Sequence, residues 1–405
     1  MFVQPQRISH GLAVLIICWV GALQAETPAE PTRKLSETAP VPRSIVKPTT
    51  AEIDHALTRG VDFLLGSQHA QGWWGSATRT KDLNIYAPVP GSHHAFRSAV
   101  TAMCVSALVE TGGDRAEVTA AIDRGEAWML ENLPKLRRAN GDALYNVWGH
   151  AYALEAFARL HAWRKDDPEK QAELLRQMAI QVELLGRYET VEGGWGYYDF
   201  KAQTQKPSGD ANSFTTATVL IAFHRVHELG VAIPKKLIDR GLAVIKRQQL
   251  PNLSYLYASD FKFQPGFDIN KPGGSVGRSQ VCNLALRVYG DTSVSDAAIK
   301  AWSDRLFSRN LWLDIGRKRP IPHEAWFYVA GYFFYYGHYY AAYGIDQLPE
   351  SDRVPLHHQL ARVILKLQES DGSWWDYPLY DYHQPYGTAF ALMTLKQCQP
   401  SAIPE

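Results

Sequence analysis

The residues best suited to chemistry gather in one short stretch. Between Trp374 and His383 lie Asp376, Asp381 and His383, interleaved with Trp375, Tyr377, Tyr380 and Tyr382. A carboxylate and an imidazole close together can exchange protons with a substrate. A carboxyl pressed against aromatic rings is poorly hydrated, keeps its proton to higher pH and can donate it. The same stretch also reads as a loop that simply packs and hydrogen-bonds. Upstream, Asp210-Ala211-Asn212-Ser213 puts another carboxylate where an apolar helical pattern begins. Asp210 is a fourth candidate acid or base, and Asp210 or Ser213 also suits a plain N-cap.

A second group reads as ligand contacts. Arg278 follows Gly273-Gly274 and can hold an anion or pair with a carboxylate. His323-Glu324 precedes a run in which Tyr328, Tyr332, Tyr335, Tyr339 and Tyr343 follow one helical stripe. Ring faces on such a stripe can line a cavity and steady a carbocation, or pack between helices. Tyr335, Tyr339 and Trp375 are the aromatic candidates, for an apolar ligand or, by stacking on sugar rings, a glycan. Asp376 and Asp381 make the carboxylate pair of a glycoside-acting enzyme only if the loop folds them together. His93, His94, His150, His323 and His383 show no His-x-x-His spacing, and no Cys-x-x-Cys occurs, so no metal or other cofactor is expected.

The elements that must position these residues are repeated. Ala56-Leu57-Thr58-Arg59-Gly60 returns as Ala121-Ile122-Asp123-Arg124-Gly125 and as Ile238-Asp239-Arg240-Gly241. Gly72-Trp73-Trp74, Gly193-Gly194-Trp195 and Gly372-Ser373-Trp374 end similar units. Each unit is a helix, a glycine turn and a tryptophan whose indole can cover a neighbouring helix end. Between the units run more apolar helices, starting near Phe96, Val147, Asn212, Gly277, Tyr328 and Tyr386. The amphipathic set starts near Ala51, Asp114, Pro168, Pro234, Ser293 and Ser351. A helix apolar on most faces must be buried on most faces. Six such helices inside six amphipathic ones make an all-α closed double barrel, and cavities form where inner helices begin.

These Gly-Trp turns and alternating helices resemble the terpenoid cyclase and protein prenyltransferase superfamily over about residues 50 to 398. Arg59-Gly60 through Gln68 and Gly72-Trp73 looks like the QW repeat of squalene cyclases. The resemblance implies an α/α toroid, here residues 49–399. It does not extend to the activity motifs. No Asp-x-Asp-Asp occurs, as squalene–hopene-type cyclases use to protonate an alkene. No Asp-x-Cys occurs, as zinc-binding prenyltransferases use; Gln280 stands at that offset from Cys282. Two function classes follow: a toroid that binds a ligand or protein at its cavity, and an enzyme working by general acid–base chemistry on an isoprenoid or glycan.

Composition narrows the partners. Lys+Arg 42 against Asp+Glu 41 gives net charge +1, which argues against a nucleic-acid partner. Residues 325–345 carry no formal charge yet hold seven tyrosines, which suits an inner barrel helix better than a membrane span. No span is expected in the mature chain, and no protein partner is specified. At the N-terminus, Arg7, the apolar run Gly11 to Leu23 and Ala25 read as a signal peptide over 1–25. Residues 26–48, rich in Pro, Thr, Glu and Ser, read as a disordered linker. Export to the periplasm or beyond is therefore expected. N-terminal sequencing of protein from the periplasmic or external fraction should start at Glu26; full-length chain with Met1 in the cytosol would overturn this.

Overall fold

The computed structural model describes residues 34–399 apart from 86, 88, 89, 202, 209 and 210. Asp210, residues 1–25, which are expected to be a signal peptide, and residues 26–33 of the expected linker thus lie outside the described residues. Six outer helices are α1 (Thr50–Ser67), α3 (Ala116–Asn132), α5 (Pro168–Arg187), α7 (Lys235–Gln248), α9 (Asp296–Ser308) and α12 (Glu350–Leu365). They alternate with six inner helices: α2 (Gly91–Thr111), α4 (Asn146–Trp163), α6 (Ser213–Glu228), α8 (Pro272–Val288), α11 (Phe333–Ile345) and α13 (His383–Gln397). A short α10 (Asn310–Gly316) sits between α9 and α11. Among the described residues there is no strand, and four isolated bridges join loops.

Burial separates the two sets as their sequences require. Helix α7 buries one stripe, Gly241, Val244, Ile245 and Gln248. Helix α4 buries nearly every residue from Asn146 to Leu160. Each inner helix packs on its inner neighbours in order, and α13 returns to α2, so the ring closes. This is the α/α toroid. Cys104, Cys282 and Cys398 are buried, unpaired thiols, and desolvation raises all three above the ordinary thiol range.

One junction recurs around the outer ring. The indole N–H of Trp74 donates to Leu64 O at 2.7 Å, that of Trp195 to Leu185 O at 2.8 Å, and that of Trp374 to Ile364 O at 2.9 Å. Thr101, Thr216 and Thr388 on inner helices accept from the same tryptophans' backbone N–H groups. The ring then meets the glycine of the next Arg-Gly pair. A Cβ added at Gly60 would stand 2.8 Å from Trp374, and at Gly125 or Gly241 3.3 Å from Trp74 or Trp195. The arginine reaches back: Arg59 donates to Glu369 O and Ser370 O, both at 2.8 Å, and Arg240 donates to Val191 O at 2.8 Å. The repeated Arg-Gly and Gly-x-Trp motifs are therefore two halves of one contact between successive outer helices.

Helices α2 and α8 begin five residues earlier than the sequence reading places them, at Gly91 and Pro272, and two further boundaries differ from it for visible reasons. Residues 34–48, expected as the end of a linker, lie along the outer ring. Arg305 donates to Leu35 O and Thr38 O, Gln359 to Arg43 O, and Arg362 to Val46 O. Helix α11, expected from Tyr328, begins at Phe333. Phe327 and Tyr328 both have φ near +55°, which a right-handed helix cannot accommodate. The Tyr328 carbonyl instead accepts from the His323 ring at 2.7 Å.

Among the described residues no helix is long and apolar enough to cross a membrane. The close junction can be tested by comparing two glycines of similar φ. Gly372 (φ +90°) has no room for a Cβ, which would meet Arg59 O at 2.5 Å; Gly230 (φ +86°) has nothing within 4 Å. In urea denaturation Gly230→Ala should cost about 1 kcal/mol, and Gly372→Ala about 2–4 kcal/mol, because a backbone clash adds to the strain. Equal losses would mean that the junction contributes nothing.

Candidate functional site

The inner helices all begin at one end of the barrel, and a cavity of about 600 Å³ opens there. Helix α2 supplies Phe96, Ala99, Val100 and Met103, and α4 supplies Trp148 and Tyr152. Phe214 comes from α6, Phe333 and Tyr336 from α11, and Tyr386 and Phe390 from α13. The connections from outer to inner helices complete the wall with Tyr197, Tyr198, Tyr257, Tyr332 and Tyr377. Exposed Phe200, Phe267 and Tyr328 stand at the mouth. The rings interlock, edge-on between Phe214 and Phe333 (centroids 5.0 Å apart) and between Phe214 and Tyr257 (5.2 Å). Asp260 is the one carboxylate on this wall among the described residues; it is exposed and pairs with Lys201 at 2.5 Å.

The sequence-derived candidates occupy several different places. The 376–383 loop lies at the mouth as its connectivity requires, and it lines the cavity through Tyr377 and Leu379. Its ionisable groups turn elsewhere. Asp376 is fully buried behind the wall; it accepts from the Tyr335 backbone N–H at 3.0 Å and from the Tyr386 hydroxyl. It thereby caps the first turn of α11, a job for a carboxylate. Burial nevertheless pushes its carboxyl up to about 6, against the lowering pull of Tyr386 and Tyr335. Asp381 accepts from Ser76 at 3.0 Å, so the two aspartates share no hydrogen-bond partner. His383 donates from Nδ1 to Tyr380 O at 2.6 Å and packs edge-on against Trp375. The ammonium groups of Lys81 and Lys318 lie over Trp375, 5.0 and 4.4 Å from its ring centre. Burial holds the His383 imidazole below its ordinary range.

Arg278 is engaged with backbone carbonyls rather than with a carboxylate. Its guanidinium donates to the Tyr255, Gly274 and Ile269 carbonyls and is wholly buried. Desolvation lowers it to about 10. Glu324 is exposed, whereas His323 lines the cavity. Tyr335 is buried away from the cavity, and Tyr339 lines a second one of about 430 Å³ at the opposite end of the barrel. There Arg159 bridges Glu110 and Glu155, and Arg225 also pairs with Glu155. The tyrosine stripe thus turns Tyr332 and Tyr336 toward the main cavity in place of Tyr335 and Tyr339. Among the described residues no group of three or more His, Cys, Asp or Glu side chains is placed to hold a metal ion.

Sequence reasoning missed most of the wall: Tyr145, Trp148, Tyr197, Tyr198, Phe214 and Tyr257. A signal was present. Tyr197 and Tyr198 follow the junction residue Trp195 by two and three positions, Tyr377 follows Trp374 by three, and Tyr257 follows Tyr255, which takes the tryptophan's place, by two. The chain that leaves a junction crosses the barrel mouth next.

No family model matches the chain, and no curated protein does. Solved structures do. A cellobiose 2-epimerase from Spirochaeta thermophila superposes with a TM-score of 0.57 at 12% identity, covering 88% of this chain and 99% of that one. The type II terpene cyclase MstE from Scytonema gives 0.51 at 16%, covering 87% and 99%. A single-residue variant of the same cyclase, in complex with geranylgeranyl dihydroxybenzoate as substrate, gives 0.50 at 14%, covering 87% and 98%. All share the α/α toroid, and at these identities the likeness establishes the fold alone.

The buried carboxyl gives a pH signature. Folded Asp376 keeps its proton to about pH 6, whereas an unfolded aspartate releases it near 3.8. Between those values the folded chain binds more protons, so this group's contribution to stability falls as pH rises. Asp376→Asn removes that slope. Wild-type stability minus variant stability should drop by about 2–3 kcal/mol from pH 4 to pH 7 in urea denaturation. A difference independent of pH would mean that Asp376 is ionised in the fold throughout.

Proposed function

We propose that the chain is an exported toroid that takes an elongated, mainly apolar ligand of the isoprenoid kind into the mouth of its barrel. The carrying observation is the wall itself: a cavity of about 600 Å³, lined by aromatic rings from five inner helices and the connecting loops. That volume falls within the range of ordinary small-molecule sites. Phe96, Ala99, Val100, Met103 and Phe390 make the deep part apolar, while the hydroxyls of Tyr197, Tyr257 and Tyr332 gather on the loops and the start of α11. The prenyl substrate held by the cyclase neighbour supports the reading by analogy of fold. A glycan fits less well, because the described wall offers one carboxylate and it is paired at the rim.

A second reading, an enzyme that protonates its ligand, is favoured by one observation. Asp376 keeps a titratable proton near pH 6 and touches the cavity through Tyr386. Asp210, which lies outside the described residues and precedes Ser213 in the sequence by three positions, is a further candidate for that role. An Asp376→Asn chain that retains ligand but no longer converts it would support this reading; unchanged conversion would remove it.

The binding reading is tested by filling the cavity. Ala99 lies on the wall with only a methyl group. Incubated with a lipid extract and recovered, the wild-type protein should carry prenyl lipids identifiable by mass spectrometry. Ala99→Trp should lower retention at least tenfold with an unchanged helical circular dichroism spectrum. Equal retention by both would place the ligand elsewhere and end this reading.

A further inference from the structure

Four side chains on the cavity wall form a series of hydrogen bonds whose direction is fixed at one end. His323 Nδ1 lies 2.7 Å from the Tyr328 carbonyl oxygen. A carbonyl can only accept, so Nδ1 carries the proton, and the neutral ring offers Nε2 as an acceptor. Burial, with Arg278 nearby, keeps that ring neutral above about pH 4. The Tyr332 hydroxyl, 2.8 Å from Nε2, must then donate to it. Its oxygen is left to accept from the Tyr257 hydroxyl at 3.3 Å, and Tyr257 accepts in turn from Tyr197. A phenol has one proton. All three are committed toward His323, and the end left open is a lone pair on the Tyr197 oxygen, on the cavity wall.

We propose that this series is the head-group subsite of the cavity and that it selects an uncharged hydroxyl, an alcohol or a phenol, over a carboxylate or a phosphate. The proposal rests on the reading of the cavity as a lipid site and adds which end group the lipid carries. An O–H group can donate to the Tyr197 oxygen without disturbing any internal bond. An anion needs donors, and to supply one Tyr197 must abandon Tyr257. Arg278, the nearest guanidinium, cannot help, because its nitrogens are held by the Tyr255, Gly274 and Ile269 carbonyls. The one charged group on the described wall, Asp260, is a carboxylate paired with Lys201 and offers an anion no donor of its own.

The test uses three probes with one apolar chain: farnesol, farnesyl diphosphate and the hydrocarbon farnesene, measured by equilibrium dialysis against the whole mature chain. Farnesol should bind roughly threefold to tenfold tighter than farnesene, the worth of one neutral hydrogen bond, and the diphosphate weakest of the three. Tyr197→Phe keeps the ring and removes the acceptor, and Tyr257→Phe interrupts the series at its middle. Tyr197→Phe should bring the farnesol-to-farnesene affinity ratio toward one, whereas Tyr257→Phe keeps that acceptor but frees the Tyr197 proton and should raise the diphosphate's affinity relative to farnesol, so each variant tests the series without the other. Equal binding of farnesol and farnesene by the wild type would overturn the head-group subsite and leave the lipid cavity standing. Tightest binding of the diphosphate would overturn the direction of the series. Binding of none of the three would overturn the cavity reading, and the subsite with it.

Discussion

The structure depends on the contact between an Arg-Gly pair on one outer helix and the Gly-x-Trp turn that ends the outer helix before it. A toroid needs a regular angle between successive helix pairs, or its ends do not meet. An indole laid on a glycine sets that angle by contact between rigid groups, since any larger side chain would push the two helices apart. The arginine ties the contact to backbone carbonyls that a turn otherwise leaves to solvent. Among these junctions the one with the greatest sequence separation closes the ring, from Arg59 and Gly60 to the 369–374 turn, across more than three hundred residues. Where the motif is altered the geometry is kept by other means. Glu189 stands where Gln68 and Gln368 stand in the other units, and it pairs with Arg240 at 2.7 Å.

The cavity follows from the same constraint. Every junction releases the chain at the same end of the barrel, and each connection must cross the mouth to reach its inner helix. The residues just after the junction therefore converge on the barrel axis. Aromatic side chains at those points fill most of the opening yet leave a space too wide for them to close. Tyrosine suits the position because its ring packs against apolar neighbours while its hydroxyl finds partners near the rim. Apart from Asp260 at the rim, charge is kept out of the described wall by engagement elsewhere. Arg278 is spent on carbonyls, Asp376 on the cap of α11, and the charged groups at the far end on one another.

The fold was legible in the sequence and the site only partly so. Inner and outer helices were placed to within about five residues, because burial pattern and the Arg-Gly and Gly-Trp motifs are local signals. The loop 376–383 was placed at the mouth from connectivity. Which of its side chains face inward was not legible, since that depends on the rotation of the loop and on partners distant in sequence. Asp376 was singled out for its aromatic surroundings; they do raise its pKa, but its oxygens serve Tyr335 and Tyr386. The tyrosine stripe was read as one continuous helix. Its first turn is broken by His323 and Tyr328, and the start at Phe333 leaves Tyr336, not Tyr335, on the cavity side.

A scaffold held by its outer ring leaves its mouth free to vary. The junction residues touch one another and the outer ends of the inner helices, while the cavity residues touch the space inside. A substitution at Tyr197 or Phe214 changes the wall without entering any Arg-Gly contact. The likeness to an epimerase and a terpene cyclase is likewise one of fold, at identities too low to carry a site. The separation explains why the repeated motifs are silent about chemistry. They record how the ring closes, and what the ring encloses is set by the few positions between each junction tryptophan and the next inner helix.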